Sequence, residues 1–170
     1  MIKLFFITAF AYLTSIYSFQ ITDINNNTIN FNDFQGKKLL LVNIATGSTR
    51  VSQLSQLEQL NQKYGDSLVI IAFPSNSFGH ESRTNSEIKQ FCQSQYGITF
   101  RLIGKTSVNG GPIHPVYNWL THQSENGTFN NVVYDDFQKF LIDKNGSLIG
   151  VFNSKVLPTD PLIINAITNL

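Results

Sequence analysis

The chain has 170 residues, of which 42% are hydrophobic and 14% charged, and its formal net charge is +1. This length and composition fit one globular domain with a sizeable core. The near-zero charge gives no basic field for nucleic acid and no acidic tail for a basic partner, and the single cysteine, Cys92, excludes an intramolecular disulfide.

The N-terminal residues have the layout of a secretory signal peptide. Lys3 supplies a positive charge, residues 4–13 are almost entirely apolar, and small or polar residues follow. The apolar run is too short for a transmembrane helix. We therefore predict a signal peptide over residues 1–15 and one domain over residues 16–170, with a buried first strand or helix as the alternative. The cut falls after Ser15 or, failing that, after Ser18, which predicts a secreted or periplasmic, extracytoplasmic protein without membrane insertion after cleavage.

The first structural elements read as a hairpin and a buried strand. Residues 18–34 place apolar side chains on both sides of three consecutive asparagines, a residue that tolerates left-handed turn geometry. Residues 39–44 are an unbroken apolar run, which is typical of a strand covered on both faces. The run breaks at Thr46-Gly47. The loop that follows such a strand is where α/β proteins usually place their chemistry, and Ser48 occupies it.

Helical and strand patterns then alternate. Apolar residues spaced by three and four over residues 51–64 predict an amphipathic helix, and residues 68–73 predict a second buried strand. Asn85 can cap a helix over residues 86–95 that Gly97 closes. The remaining predictions are a short third strand over 98–103, a helix over 115–122, a polar loop over 123–131, a strand over 137–143, a turn at 144–147, a strand over 148–152 and a helix over 162–167. This order predicts an α/β three-layer α/β/α sandwich with a mixed central sheet and an N-terminal β-hairpin.

An ordered series of short motifs runs along most of the chain. One of them is Phe73-Pro74-Ser75-Asn76-Ser77-Phe78-Gly79. The others lie at residues 41–45, 57–64, 84–92, 96–100, 108–110, 114–117 and 137–143. Together they resemble the glutathione peroxidase family over about residues 16–167. The resemblance implies a thioredoxin-like fold and an activity in thiol-dependent reduction of hydroperoxides, part of the response to oxidative stress.

The resemblance also implies which residues would form the catalytic site. In that family a peroxidatic cysteine or selenocysteine attacks the peroxide and becomes a sulfenic or selenenic acid, with a glutamine, a tryptophan and an asparagine around it. Glutathione or thioredoxin regenerates it, and no further cofactor is implied. Here the peroxidatic position falls on Ser48, the glutamine position on Ser77, and the tryptophan and asparagine positions on Asp135 and Asp136. All four differ from the family pattern.

These replacements bear directly on the chemistry. The attacking group must be a soft anion near neutral pH, and a thiol is readily pushed there, whereas a serine hydroxyl is not. Aspartates near the site would raise the pKa of any anion formed beside them. The sequence therefore predicts an impaired or inactive peroxidase with a secreted binding or scaffold role toward an unknown small molecule or protein, and it leaves open whether the protein is an enzyme.

Three alternatives give Cys92, Ser48 or the acidic pair a different role. Cys92 could support residual thiol peroxidase activity, although its place beside Phe91 on the inner face of a helix favours a core role. Ser48 could act as a hydrolytic nucleophile with His80 as base, in a changed activity of the same cleft that also uses the acidic pair. Asp135 and Asp136, with His80 or Glu81, could hold a metal, but adjacent acids are more often solvated, and we expect no metal site.

Overall fold

A computed structural model describes residues 14–169 of the chain. The predicted signal peptide therefore lies almost entirely outside the described residues. Its last two residues, Thr14 and Ser15, lead into a short 3-10 turn over Ile16–Ser18.

A five-stranded mixed sheet forms the centre of the fold. The strands of the molecule are β1 (Gln20–Thr22), β2 (Thr28–Asn30), β3 (Lys38–Ile44), β4 (Leu68–Pro74), β5 (Arg101–Leu102), β6 (Lys139–Ile142) and β7 (Leu148–Phe152). The order in the sheet is β5-β4-β3-β6-β7. The pairs β3–β4 and β4–β5 are parallel, whereas β3–β6 and β6–β7 are antiparallel. β1 and β2 form the separate N-terminal hairpin.

Helices and the hairpin cover the two faces of this sheet. The helices are α1 (Gln53–Tyr64), α2 (Asn85–Tyr96), α3 (Pro115–Thr121), α4 (Gln123–Asn126) and α5 (Pro161–Asn169). Successive side chains of a strand point to opposite faces. Leu39 and Leu41 accordingly pack with the hairpin and α3, while Leu40 and Val42 pack with α1, α2 and α5. The thioredoxin-like three-layer arrangement with an N-terminal hairpin is confirmed.

The residues just before the hairpin belong to the folded unit. The Ile16 side chain is fully buried in the core, and the Trp119 indole N–H donates a hydrogen bond to the Thr14 carbonyl. The hairpin turn is made by Asn26 with a φ of 69°, a left-handed conformation that asparagine adopts more easily than most residues.

Several predicted bounds are wrong for local reasons. The strand predicted over 98–103 contains only Arg101–Leu102, and a short helix occupies part of the predicted loop over 123–131. The cap of α2 is Thr84 rather than Asn85, because Thr84 and Glu87 form a capping box. The strand predicted from residue 137 begins at Lys139, since Phe137 has a φ of 64° and cannot continue an extended strand.

Among residues 14–169, no helix combines the length and apolarity needed to cross a bilayer.

Candidate functional site

Two loops meet at the carboxyl ends of the parallel strands β3 and β4. The first carries Ser48 into α1, and the second carries Ser75, Ser77 and His80 toward α2. Gly47 lets them approach, because its N–H donates to the His80 carbonyl at 3.0 Å and an added Cβ would lie 2.6 Å from that oxygen. Open α/β sheets usually bind ligands at this end, where the loops after neighbouring strands converge.

Glu81 holds the base of the first loop in place. Its fully buried carboxylate accepts hydrogen bonds from the Thr46 backbone N–H at 2.6 Å and from the Thr46 hydroxyl at 2.8 Å. The Arg83 guanidinium donates to the same hydroxyl at 2.6 Å. A buried carboxylate with these partners is satisfied, so Glu81 braces the loop.

Ser48 lies inside this loop and is only 4% exposed. Its hydroxyl oxygen accepts a hydrogen bond from the Arg50 backbone N–H at 3.3 Å. The same hydroxyl lies beside the Asp136 carboxylate and lowers the pKa of that acid by directing its O–H toward it, in a contact outside standard hydrogen-bond geometry. An anion formed at this serine would face a carboxylate at short range, which disfavours it.

Asp136 and His80 form the central pair of the site. The Nδ1 atom of His80 lies 2.6 Å from Oδ2 of Asp136, whose side chain is fully buried, whereas the His80 side chain is 50% exposed. The other oxygen, Oδ1, has no hydrogen-bond partner among residues 14–169. Burial raises the pKa of Asp136, with a further rise from Asp135, while His80 and Ser48 oppose it.

Asp135 and Arg50 close the mouth of the site with an ion pair. Oδ2 of Asp135 lies 2.7 Å from a guanidinium nitrogen of Arg50, and the two side chains are 32% and 26% exposed. Oδ1 of Asp135 accepts the Asp136 backbone N–H at 2.8 Å. The pair therefore stands at the surface with both charges partly solvated, where it contributes little stability but presents a polar, charged rim.

Ser77, predicted as a site residue, is tied into a different loop. Its hydroxyl oxygen accepts the backbone N–H groups of Val108 and Asn109 at 3.0 and 3.2 Å, and the buried Ser75 hydroxyl donates to it at 3.0 Å. The structure thus gathers Ser48, His80 and Asp135 around Asp136, and it uses Ser77 to join the loop after β4 to the loop before α3.

Cys92 lies on α2 in the core and has no exposed surface. Burial, with a smaller contribution from the Glu81 charge, raises the pKa of its thiol to about 12. A thiol in this state is almost wholly protonated near neutral pH and is a poor nucleophile. This placement fits the small-hydrophobe role that the helical pattern predicted for it.

Hydrolysis by Ser48 would depend on which side chain lies next to its hydroxyl. In a serine hydrolase the histidine stands between the serine and the acid, so that the imidazole can take the hydroxyl proton. Here Asp136 is the group that both Ser48 and His80 approach. The serine therefore faces a carboxylate instead of the imidazole base that the hydrolase alternative requires.

Three site-supporting residues were missed by sequence reasoning. Asn43, buried in β3, accepts the Gln138 N–H and donates to the Asp135 carbonyl at 2.9 Å, which fixes the acidic segment. Arg50 supplies the ion pair described above. Lys139 is fully buried, donates to Gln53 and to a backbone carbonyl, and has its pKa lowered to about 7 by burial and by Arg50. A polar residue interrupting an apolar run was the available signal for Asn43.

Comparisons with known proteins agree with the motif series. The profile of the family described as glutathione peroxidase matches residues 16–121. The chain is 35% identical over 148 residues to the glutathione peroxidase of Lactococcus lactis subsp. cremoris, covering 86% of this chain and 94% of that one. It is 36% identical over 148 residues to glutathione peroxidase-like peroxiredoxin 2 of Saccharomyces cerevisiae, covering 86% and 91%.

Solved structures give the same picture of the fold. The crystal structure of Trgpx in apo form is 32% identical, covers 91% of this chain and 95% of its own, and superposes with a TM-score of 0.67. A thioredoxin-family thiol:disulfide interchange protein from Chlorobium tepidum is 16% identical with a TM-score of 0.65, covering 94% and 99%. At that identity the likeness concerns the fold alone.

Proposed function

Because this chain belongs to the glutathione peroxidase family, whose activity is thiol-dependent reduction of hydroperoxides, we propose that it is a secreted member that has lost that reaction. In this proposal the protein keeps the fold of the family and binds a ligand at the partly exposed side chains beside Ser48, which are His80, Asp135 and Arg50. The ligand is a small molecule or a protein segment recognised by polar and charged groups.

This proposal rests on the positions of the Ser48 hydroxyl and the Cys92 thiol. Ser48 occupies the position after β3 where the family resemblance puts the peroxidatic residue, and the chain has no cysteine other than Cys92. Cys92 is fully buried, and the pKa of its thiol is raised to about 12. Peroxide reduction by this family needs an accessible thiolate or selenolate, because that anion attacks the peroxide oxygen.

The residues around Ser48 support the loss of the groups that stabilise the anion, in addition to the loss of the thiol. A peroxidatic group works when its neighbours stabilise the anion, as hydrogen-bond donors do. Here the neighbour is the buried carboxylate of Asp136, which accepts hydrogen bonds and repels an anion when ionised. Restoring the thiol alone would therefore leave it next to a group that raises its pKa.

The rim of the cleft supports a binding role. The imidazole of His80 is half exposed, and the Asp135–Arg50 pair is partly solvated. These groups offer both signs of charge and several hydrogen-bonding atoms at the carboxyl end of the sheet, the usual place for ligand binding in such folds.

Secretion rests on the sequence pattern of residues 1–15. Between the two cuts, packing supports the one after Ser15, because the later cut would remove the fully buried Ile16 from the core, whereas both cuts remove the Thr14 carbonyl that accepts the Trp119 indole N–H. N-terminal sequencing of protein exported from a host expressing the full chain tests this. A mature protein that begins at Phe19, or protein retained in the cytoplasm with Met1, would contradict it.

Peroxide consumption tests the loss of activity. The wild type is compared with Ser48→Cys, with the double variant Ser48→Cys/Asp136→Asn and with Cys92→Ser, using glutathione and separately thioredoxin as reductant. We expect no turnover above background for the wild type and Cys92→Ser. The double variant should exceed Ser48→Cys by about tenfold or more, since one unit of thiol pKa changes the thiolate fraction about tenfold.

Two results would overturn the proposal. Wild-type turnover that disappears in Cys92→Ser would assign a residual peroxidase to Cys92. Wild-type turnover that persists in Cys92→Ser would show a peroxide chemistry that needs no thiol.

A further inference from the structure

We propose that His80, Asp135 and Asp136 form a binding site for one divalent transition-metal ion, with Zn²⁺ as the best fit. The proposal deepens the binding role given above, because it names a ligand class for the same cleft, and it rests on that role.

The three side chains converge from two separate loops. Each offers one ligand atom, and these atoms all lie within 4.8 Å of one another. Zinc bonds of about 2.0–2.2 Å in a tetrahedral arrangement place ligand atoms roughly 3.3 Å apart. The 2.6 Å contact between His80 Nδ1 and Asp136 Oδ2 must open to admit an ion, and the longer separations must contract. Rotation of His80 and Asp135, which are partly exposed, around the buried Asp136 allows both movements.

Asp136 supplies a second and independent observation. Its side chain is fully buried beside His80, and Oδ1 makes no hydrogen bond of standard geometry within residues 14–169, since the Ser48 hydroxyl gives the carboxylate only a loose contact. A buried carboxylate oxygen left without a donor costs about 1–3 kcal/mol, and more when it is charged. A cation bound between Asp136 and its two neighbours would supply the missing partner.

The charges of the site accommodate a divalent ion. Two carboxylates lie beside Arg50, which is ion-paired to one oxygen of Asp135. Each carboxylate oxygen has a second lone pair, so this ion pair does not remove Asp135 as a ligand. Arg50 and the buried Lys139 beyond it weaken the attraction, which favours moderate affinity over the very tight binding of a structural metal.

The donor set selects among metals. One imidazole with two carboxylates suits Zn²⁺ and related transition-metal ions, because imidazole is a ligand they accept readily. Ca²⁺ prefers six to eight oxygen ligands and Mg²⁺ prefers oxygen ligands in octahedral geometry, so both should bind more weakly here. Three protein ligands at a partly exposed cleft leave a fourth position for water.

Isothermal titration calorimetry of the chelator-treated protein with ZnCl₂ tests the site, with CaCl₂ and MgCl₂ titrated separately. We expect one Zn²⁺ per chain, with Ca²⁺ and Mg²⁺ weaker. His80→Ala should weaken Zn²⁺ binding by at least about tenfold, since loss of even an outer-shell partner costs about 10–100-fold. Asp135→Ala should do the same, and both changes lie at partly exposed side chains that leave the core intact. His122→Ala, at an exposed histidine on another part of the chain, is the matched control and should bind as the wild type does.

The metal site would be overturned if the wild type does not bind Zn²⁺ one to one, or if His80→Ala and Asp135→Ala bind Zn²⁺ as strongly as the wild type does. Binding lost in His122→Ala but kept in His80→Ala would place the ion elsewhere and would also overturn it. Neither result depends on peroxide turnover, so failure of the metal site and failure of the proposed loss of peroxidase activity are read separately.

Discussion

Lys139 is expected to make the stability of the protein rise with pH above neutrality. The side chain is fully buried, and burial together with the charge of Arg50 lowers the pKa of its ammonium from 10.5 to about 7. Between these two values the unfolded chain binds more protons than the native chain, so the free energy of unfolding increases as the pH rises. The destabilisation caused by the lowered pKa is greatest below pH 7, and it disappears as the pH approaches 10.5.

The size of the effect follows from the two pKa values. A lysine with a pKa near 7 when folded and 10.5 when unfolded adds about 2 kcal/mol to the free energy of unfolding between pH 7 and pH 9. Lys139→Met keeps most of the side-chain volume and removes the titrating group. The free energy of unfolding of the variant should therefore lack the rise of about 2 kcal/mol between pH 7 and pH 9. Loss of the hydrogen bonds to Gln53 and Val156 shifts the stability of the variant equally at both pH values and does not affect this comparison.

Urea denaturation at pH 7, 8 and 9 measures the difference. The quantity compared is the change in unfolding free energy with pH, so that groups titrating elsewhere cancel between wild type and variant. Lys155→Met, at an exposed lysine, is the control and should retain the wild-type slope. Parallel slopes for the wild type and Lys139→Met would refute the assignment of a lowered pKa to Lys139.

Three further predictions concern buried polar groups. Burial raises the pKa of Asp136 above 3.8, so its contribution to stability is present below that pH and is lost as the pH rises through the raised value. In the presence of a chelator, the free energy of unfolding of Asp136→Asn should thus exceed that of the wild type by about 1–2 kcal/mol at pH 7 and by less at pH 4. A free energy of unfolding below the wild-type value at pH 7 would contradict this. Cys92 should resist a thiol reagent at pH 8 in the native protein and react fully in denaturant, whereas rapid native labelling would show an accessible thiol. Asn126→Ala should cost about 1–3 kcal/mol in urea denaturation, because the amide donates to the Trp119 and Phe129 carbonyls, and exposed Asn145→Ala should cost much less.

Short-range sequence patterns predicted most elements of the fold. The apolar run at residues 39–44, the helical spacing over residues 51–64 and the asparagine turn each correspond to an element of the structure. Such periodicity reports which face of an element is buried, and that information is contained in a short window of sequence. The predicted bounds of α2 and β6 were wrong because a local feature overrides the pattern, at Thr84 and at Phe137.

The candidate site was only partly predictable. The resemblance pointed to Ser48, Ser77, Asp135 and Asp136, yet the hydrogen bonds of Ser77 run toward Val108 and Asn109. Spacing along the chain says nothing about where a hydroxyl finds its partner. Arg50 and Lys139 gave no motif of their own, since a lone basic residue is usually solvated.

The sequence by itself determined the elements, their order and the absence of a thiol at the cleft, because these depend on residue type and short-range periodicity. Tertiary structure alone decided that His80 meets Asp136 across 56 residues and that Arg50 pairs with Asp135. Those contacts arise because β3 lies between β4 and β6 in the sheet, which brings the loop after β4 beside the segment before β6. The chemistry left to this cleft therefore depends on the strand order and on the close approach at Gly47.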